Sequence, residues 1–509
     1  MESRRDRIVS LLLGGAVLLY IVLFSALSVA RYDTFHTATF DLGFFSQVVW
    51  NTAHGRWFET SVSRATNVEL IGNYLAEHVA LVLLLWAIPY RLWPDPRLLL
   101  VLQSVALGLA AVPLYHIARR QTGDPPAALI VACGYLAYPA LGFVNLFDVH
   151  PIAFSIPIVF LAYRALEERR WPLFWIAVLL ALFVQEEMTI PLGMWGLVHL
   201  LRRRRLGLGL LLLAGAWAVL CFGLIIPHFN EGQPYRFWQL WSDLPGLSTY
   251  ASDQGGIAQP TVGASTEALI LYVLHLALPL GFLPFLGPAS LIVALPSFTY
   301  LLLGGRAAFH SVGYHYPAVL IPWFFLAVVE GLRWLRRRAA RAGGLRAYRL
   351  GLAFLVCGTL GANVLLNPPL LYARAGFFRR APYHEQIVET LAQIPPQAGV
   401  AVVNRLGASL AHRRILVALE YPPPLRLDHV QMADYVLLDL VDCRTMPAAD
   451  PRAAYAELVA QVLGTGAFRV HTWSGRILLL ERGVPTEAQT KAILDYVADL
   501  VEQDRPCWP

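Results

Sequence analysis

Apolar residues run along most of the chain in stretches of bilayer length. Eleven stretches can be drawn, at about 8–30, 97–118, 126–146, 150–167, 171–185, 187–201, 206–227, 264–284, 287–303, 314–334 and 348–369. Because a helix needs about 20 apolar residues to cross the hydrocarbon core, these stretches predict about eleven membrane-spanning helices, several of them short. The first stretch is too long for the core of a signal peptide and is predicted to remain as a span.

One further apolar stretch, residues 75–93, could either span the membrane or lie along its outer surface. It contains Glu77, His78, Trp86, Tyr90 and Trp93. If it does not span, the arginines at 119–120, 169–170, 202–205, 336–338 and 341 all share a side with the basic N-terminus, as the positive-inside rule requires. We therefore predict an interfacial juxtamembrane helix. With the N-terminus cytoplasmic and about eleven spans, the C-terminal region is predicted to be extracytoplasmic.

Composition agrees with a membrane protein and excludes an ordinary soluble enzyme. Of the 509 residues, 57% are hydrophobic and only 15% are charged. The net charge of +6 comes almost wholly from arginine, since Lys491 is the only lysine. The arginines lie in short runs between apolar stretches, which indicates topology and not nucleic-acid binding. Among five scattered cysteines, Cys443 and Cys507 could pair if the tail is exported.

After about residue 370 the pattern changes from long apolar stretches to alternating helical and strand-like segments. Helical periodicity at 383–394, 406–412 and 451–463 alternates with strand-like runs at 400–403, 435–440, 468–473 and 476–480. The predicted fold is therefore an α-helical multi-pass membrane domain, residues 1–370, followed by a small extracytoplasmic α/β domain, residues 371–509. The α/β segment has no phosphate loop, nucleophile motif or metal-ligand spacing, which suggests a supporting or acceptor-recognising module.

The predicted topology places most unexplained acidic and histidine residues on the outer face. They are Asp41, Glu77, His78, Asp148, His150, Glu186, Glu187, His228, Glu231, His310 and His315, together with Arg306. Asp41 lies in the aromatic segment 32–55, where a carboxylate at the end of a span is costly to desolvate and therefore suggests function. The alternative is structural, because Thr39 or Asp41 could cap a helix over 42–53 that ends at Gly55.

The other outer residues also allow two interpretations. Asp148 could be a helix cap with His150 at the interface, or both could line a cavity. Glu186 and Glu187 are adjacent on a helix, about 100° apart, so they cannot share one direction, and one is predicted to face a cavity. Three basic residues, Arg306, His310 and His315, could bind a phosphate or form an ordinary polar loop. A divalent metal held by Asp, Glu and His is conceivable, although no ligand spacing supports it.

Four short motifs carry a resemblance to a known family. They are FDLGFFSQ at 40–47, EH at 77–78, FDVHP at 147–151 and QEE at 185–187. With these motifs the whole chain resembles the bacterial membrane family called domain of unknown function 2079, which in turn looks like the GT-C superfamily of glycosyltransferases. In that superfamily an acidic residue of the first outer loop is catalytic and the donor is a polyprenyl-phosphate sugar. The resemblance places the catalytic residue on Asp41. Unlike the protein mannosyltransferases, this chain has no acidic residue next to it.

The sequence therefore predicts a glycosyltransferase of the bacterial inner membrane. Asp41 is the predicted general base of an inverting transfer from a polyprenyl-phosphate sugar to a glycan, lipid or protein acceptor. The predicted substrate-binding residues are Glu77, His78, Asp148, His150, Glu186 and Glu187, and the predicted phosphate-binding residues are Arg306, His310 and His315. The sequence identifies no certain cofactor, and a divalent metal is possible. The alternatives are a transporter or flippase, whose polar residues would follow a path across the midplane, and a non-catalytic scaffold.

Overall fold

The computed structural model describes residues 4–62, 70–233, 235, 266–304, 307–341, 344–419, 425–443, 450–503 and 507. The first part of the chain is helical. Its α-helices are α1 (Arg4–Asp33), α2 (Phe44–Ala53), α3 (Leu83–Leu92), α4 (Pro96–Leu109), α5 (Ala111–Thr122), α6 (Pro125–Leu136), α7 (Pro139–Leu146), α8 (Ser155–Glu167), α9 (Trp171–Val184), α10 (Thr189–Leu200), α11 (Arg204–Leu220), α12 (Ile226–Phe229), α13 (Thr266–Ala277), α14 (Pro288–Leu303), α15 (Ile321–Arg341), α16 (Arg346–Leu366) and α17 (Pro368–Arg374).

Four helical segments in the described part of the chain are long and apolar enough to cross a membrane. They are Arg4–Asp33, Pro96–Thr122, Arg204–Phe229 and Arg346–Arg374, and a fifth is possible if α6 and α7, which meet at a 42° bend, form one broken span. Every predicted stretch coincides with one or two helices, but several are short. At 1.5 Å per residue the 14 residues of α9 reach about 21 Å, less than a hydrocarbon core of about 30 Å. The count of about eleven spans therefore stays a prediction.

The first helix shows how these apolar segments pack. A stripe of α1 is buried, comprising Val9, Leu13, Val17, Tyr20 and Phe24, while other apolar side chains of the helix are exposed. The stripe recurs every three or four residues, so it forms one face, and this face packs against α4 and α6. Gly108 of α4 permits the close approach, because a Cβ there would lie 2.6 Å from the side chain of Ile21.

Residues 75–93, predicted to form a juxtamembrane helix, contain the short helix α3, and its position at the membrane surface stays a prediction. Helix α3 has ten residues, about 15 Å, too short to cross a bilayer. Its side chains Leu85, Ile88 and Leu92 are exposed, which gives it one apolar outer face. Two of the supposed interfacial aromatic residues, Trp86 and Tyr90, are instead buried, because they face the protein.

The C-terminal region contains the predicted small α/β fold. Its strands are β3 (Val400–Val402), β4 (Leu416–Ala418), β5 (Tyr435–Asp439), β6 (Phe468–Trp473) and β7 (Ile477–Arg482), and its helices are α18 (Pro382–Leu391), α19 (Leu427–Gln431), α20 (Pro451–Gly464) and α21 (Glu487–Glu502). The strand order is β4-β3-β5-β7-β6, in which β3 is parallel to β4 and β5, whereas β7 is antiparallel to β5 and β6. Buried apolar side chains of β5 and β7 fill its core. A disulfide joins Cys443 to Cys507.

The first loop after α1 packs directly on this α/β region. A short hairpin of β1 (Glu59–Thr60) and β2 (Gly72–Asn73) follows α2. Next to it, the Ser61 hydroxyl donates to the Leu416 carbonyl of β4 at 3.0 Å and accepts the Leu416 N–H at 2.7 Å. The Tyr90 hydroxyl lies 2.6 Å from Nε2 of His412. Loop and sheet therefore form one continuous packing unit, which places residue 41 between the helices and the α/β region.

Candidate functional site

Asp41 lies in a π-helical turn, Thr39–Gly43, between α1 and α2. Neither Thr39 nor Asp41 caps α2 through its side chain, and the helix begins only at Phe44, so the capping alternative is wrong. The Thr39 hydroxyl instead donates to the Asn404 carbonyl of the α/β region. The Asp41 side chain keeps 27% of its surface exposed. The turn therefore fixes the backbone of Asp41, while its carboxylate remains partly accessible to solvent.

His150 contacts Asp41 from the loop between α7 and α8. Its Nε2 lies 3.3 Å from Oδ1 of Asp41, and its ring stacks on His315 with centroids 3.6 Å apart. A proton on Nε2 lets the imidazole donate to the carboxylate. The structure thus brings together two residues that are 109 positions apart.

Arg31 and Asp148 form a buried ion pair behind this contact. The Arg31 guanidinium bonds one carboxylate oxygen of Asp148, and the other oxygen accepts the Ala38 N–H at 2.9 Å. Asp148 is only 1% exposed, and its backbone has a positive φ of 67°. Its carboxylate thus ties the end of α1 to the loop that carries His150. It does not cap the following turn, Pro151–Phe154, whose N-cap residue is His150.

Gln103 of α4 fixes the same loop from the other side. Its side-chain amide donates to the Asp148 carbonyl at 2.7 Å, and its Oε1 accepts the His150 N–H at 2.9 Å. Both bonds go to backbone groups, so they set the path of the loop independently of the side chains it carries. His150 is thus held between α1, through Asp148, and α4, through Gln103.

A second cluster forms around Glu186. Its Oε1 lies 2.7 Å from Nδ1 of His78 and accepts the Tyr235 hydroxyl at 2.8 Å, while Oε2 accepts the Val79 N–H at 2.8 Å. Glu187 points elsewhere and accepts the Tyr300 hydroxyl at 3.0 Å. The prediction that the two glutamates diverge is therefore confirmed. Each finds a tyrosine partner that sequence reasoning did not assign.

Aromatic rings connect the two clusters. The ring of Tyr74 lies 6.1 Å from that of His78 and 5.8 Å from that of Phe45, and the Phe45 ring lies 5.5 Å from that of His150. The predicted residues Asp41, His78, Asp148, His150, Glu186, Glu187 and His315 therefore gather in one part of the fold.

Two comparisons with known proteins agree with this architecture. The model of the family described as "Predicted membrane protein (DUF2079)" matches residues 31–479, which is well over half of the chain. The chain belongs to the DUF2079 family. No curated protein matches it. The crystal structure of ArnT from Cupriavidus metallidurans bound to undecaprenyl phosphate is similar, with a TM-score of 0.51 and 15% identity over 92% of this chain and 98% of ArnT.

The family match confirms the resemblance to DUF2079, and the structural match shows a fold like that of ArnT. At 15% identity the likeness to ArnT concerns the fold alone. The range matched by the DUF2079 model begins at Arg31 and contains every predicted site residue. The candidate site therefore lies within the part of the chain that defines the family membership. The roles of those residues remain proposals.

Three predicted site residues of this DUF2079 chain belong to neither cluster. Arg306 falls outside the described residues. Nε2 of His310 lies 3.1 Å from the Leu302 carbonyl, which it can satisfy near the end of α14. Glu77 is buried beside the His78 cluster, where its charge raises the pKa of His78. Their proposed binding roles stay predictions.

A metal site finds no support in the described ranges. Within them, no three His, Cys, Asp or Glu side chains are grouped so that they could hold a metal ion. The adjacent carboxylates of Glu186 and Glu187 bond to His78 and to tyrosine hydroxyls.

The His78–Glu186 pair predicts that stability falls as pH rises. Burial lowers the pKa of His78, but the Glu186 carboxylate outweighs it, so the pKa lies above its ordinary value. A raised folded-state pKa contributes stability that is complete below the unfolded pKa, about 6.5, and is lost as pH rises through the folded pKa. We expect the Tm of detergent-solubilised protein to fall as pH rises above about 6.5, with a smaller slope in His78→Gln.

The control for this prediction is His471→Gln. His471 also contacts a carboxylate, Glu481 at 2.9 Å, but on the open surface of the sheet. Surface pairs contribute about 0 to 1 kcal/mol, so this variant should keep the wild-type slope. Identical pH slopes in wild type and His78→Gln would contradict a charged His78.

Proposed function

We propose that this protein is a membrane glycosyltransferase that moves a sugar from a polyprenyl-phosphate donor to an extracytoplasmic acceptor. The observation that carries the proposal is the state of Asp41. Its side chain is 27% exposed and lies against His150, whereas the side chains of Asp148 and Glu186 are 1% and 0% exposed. A general base must reach the proton that it removes, and Asp41 meets this requirement.

In the proposed reaction the acceptor hydroxyl attacks the anomeric carbon as its proton passes to Asp41. The new bond joins the acceptor oxygen to the anomeric carbon, and the bond from that carbon to the lipid phosphate oxygen breaks on the opposite face. The configuration therefore inverts. The phosphate leaves with the electron pair and needs no strong general acid. His150 orients the Asp41 carboxylate through Nε2, at 3.3 Å.

The remaining residues receive supporting roles. His78, whose charged form is favoured by Glu186, would stabilise the departing phosphate, as would Arg306 and His315. Glu77 and Glu187 would line the sugar cavity. Asp148 is better assigned to positioning than to substrate binding, because Arg31 and the Ala38 N–H occupy its oxygens. His310 would act on the phosphate only if it moved away from the Leu302 carbonyl.

The donor and the orientation are proposed on separate grounds. The similarity of the fold to ArnT, a protein whose structure was determined with undecaprenyl phosphate bound, supports a polyprenyl-phosphate ligand. The disulfide between Cys443 and Cys507 supports an extracytoplasmic C-terminal region, because such bonds persist in oxidising compartments. A glycan, a lipid and a protein remain the candidate acceptors.

The proposal is tested by supplying purified protein in liposomes with radiolabelled polyprenyl-phosphate sugars and envelope acceptors. We expect label to move into the acceptor and unlabelled polyprenyl phosphate to accumulate in equal amount. The matched control supplies the same sugar on a nucleotide, which should not be used. Movement of the intact labelled lipid between leaflets without covalent transfer would contradict the proposal and favour a flippase.

A further inference from the structure

The turn that carries Asp41 is bound by one residue of the α/β region. Asn404 follows β3, and its carbonyl accepts both the N–H and the hydroxyl of Thr39. Its side-chain Oδ1 accepts the Phe40 N–H at 3.2 Å. The two backbone donors that precede Asp41 therefore both bond to Asn404, which lies 365 positions from Thr39 and 364 from Phe40.

Two glycines bring the backbones of the two regions into contact at this turn. The Gly407 N–H donates to the Thr39 hydroxyl at 3.1 Å, and a Cβ at position 407 would lie 2.2 Å from that hydroxyl oxygen. On the other side of the turn, a Cβ at Gly43 would lie 3.3 Å from the Ala408 backbone. Side chains larger than hydrogen at 407 would therefore push the turn away.

Arg405, the residue after Asn404, holds this part of the α/β region in place. Nε of Arg405 donates to the Phe35 carbonyl at 2.8 Å, and its NH1 donates to Asp442 at 2.7 Å. Arg405 is buried, and Asp442 precedes the disulfide-bonded Cys443. A buried, charge-assisted network of this kind holds one geometry, because moving it would leave a charge without its partner.

We propose that Asn404 and Gly407 are positioning residues for Asp41, so that the α/β region completes the active site in addition to any contact with the acceptor. Asn404 binds the backbone of the turn and Gly407 sets its distance from the sheet. This inference rests on the proposed function only for its catalytic consequence. The positioning itself can be measured without any reaction.

The first measurement labels a thiol introduced by Asp41→Cys, in protein that also carries Cys133→Ser, Cys221→Ser and Cys357→Ser. The rate of modification by a water-soluble maleimide reports the exposure of position 41. Adding Gly407→Ala should change this rate at least about threefold, because the turn must move. The matched control is Gly464→Ala at the end of α20, where a Cβ meets nothing within 4 Å. It should leave the rate unchanged.

The second measurement is sugar transfer with Asp41 intact. Gly407→Ala and Asn404→Leu should each lower kcat about 10-fold to 100-fold with little change in the donor KM, because misplacing a catalytic group affects the chemical step. Asn404→Asp keeps an acceptor for the Phe40 N–H and should restore part of the loss. The control Asn367→Leu removes a similar bond, Oδ1 to the Leu370 N–H at 2.9 Å, at the start of α17, and should keep kcat.

The outcomes separate this inference from the proposed function. If Gly407→Ala changes the labelling rate but wild-type protein transfers no sugar, the positioning stands and the proposed function fails. If wild-type protein transfers sugar and Gly407→Ala alters neither labelling nor kcat, the positioning is overturned. Equal losses of kcat in Asn404→Leu, Asn404→Asp and Asn367→Leu would also overturn it, because they would show a general loss of folding.

Discussion

Replacing Asp41 by asparagine is expected to reduce sugar transfer by about 10²-fold to 10⁴-fold, the usual contribution of a general base. Asparagine has nearly the same shape and keeps an oxygen for His150, which lies 3.3 Å away, but it cannot accept a proton at neutral pH. The donor KM should change little, because the proton is removed only during the reaction. Initial rates at saturating acceptor measure the effect.

The control for this prediction is Asp428→Asn. Asp428 is an exposed carboxylate of α19, and its pKa is lowered to about 2 by the hydrogen bond from Arg426. It is an aspartate like Asp41 but belongs to neither cluster, so its loss should not affect transfer. Equal rates in wild type and Asp41→Asn, at equal protein levels, would exclude Asp41 as the base.

Replacing Arg31 by leucine is expected to destabilise the protein by about 3–5 kcal/mol, because it leaves the buried Asp148 carboxylate without its cation. Asp148 is 1% exposed and would still accept the Ala38 N–H, so it cannot turn toward solvent without breaking the loop. A lower Tm and reduced transfer should appear together, since the same loop carries His150. Thermal unfolding in detergent gives the stability.

The chain offers a matched control in Arg97, which pairs with Asp33 at 2.6 Å near the same end of α1. These side chains are 41% and 30% exposed, so solvent screens them and Arg97→Leu should cost less than about 1 kcal/mol. The double variant Arg31→Leu with Asp148→Asn should recover much of the stability, because the buried charge is gone. A similar loss of stability in Arg31→Leu and Arg97→Leu would contradict the buried pair.

The sequence predicted the helices and most strands because their apolar patterns are local. The strand-like run at 468–473 coincides with β6, and helix 451–463 differs from α20 by one residue. The parallel strand β4 was missed, since three residues beside Ile415 are too short to show a period. The predicted helix at 406–412 is only a single 3-10 turn, Gly407–Leu410, because contact with the Asp41 turn fixes its shape.

The candidate site was predicted by residue type but not by partner. A carboxylate or histidine in an apolar stretch is conspicuous in a sequence, which is why Asp41, His150 and Glu186 could be selected. Arg31 was missed, because an arginine at the end of a span is ordinarily explained by topology. Asn404 was missed for a different reason. Asparagine after a strand is common in loops, and only the fold shows that its acceptors face residue 39.

The bonds between Ser61 and Leu416 have a consequence for how the α/β region can exist. Strand β4 is the last strand on its side of the sheet, and unpaired N–H and C=O groups at such a border invite pairing with another polypeptide. Ser61, the residue after β1, bonds both the N–H and the C=O of Leu416 at this edge. A fragment that begins at residue 371 would lack Ser61 and would be prone to aggregate through the exposed edge of β4. The loop after α1 therefore protects this edge of the sheet.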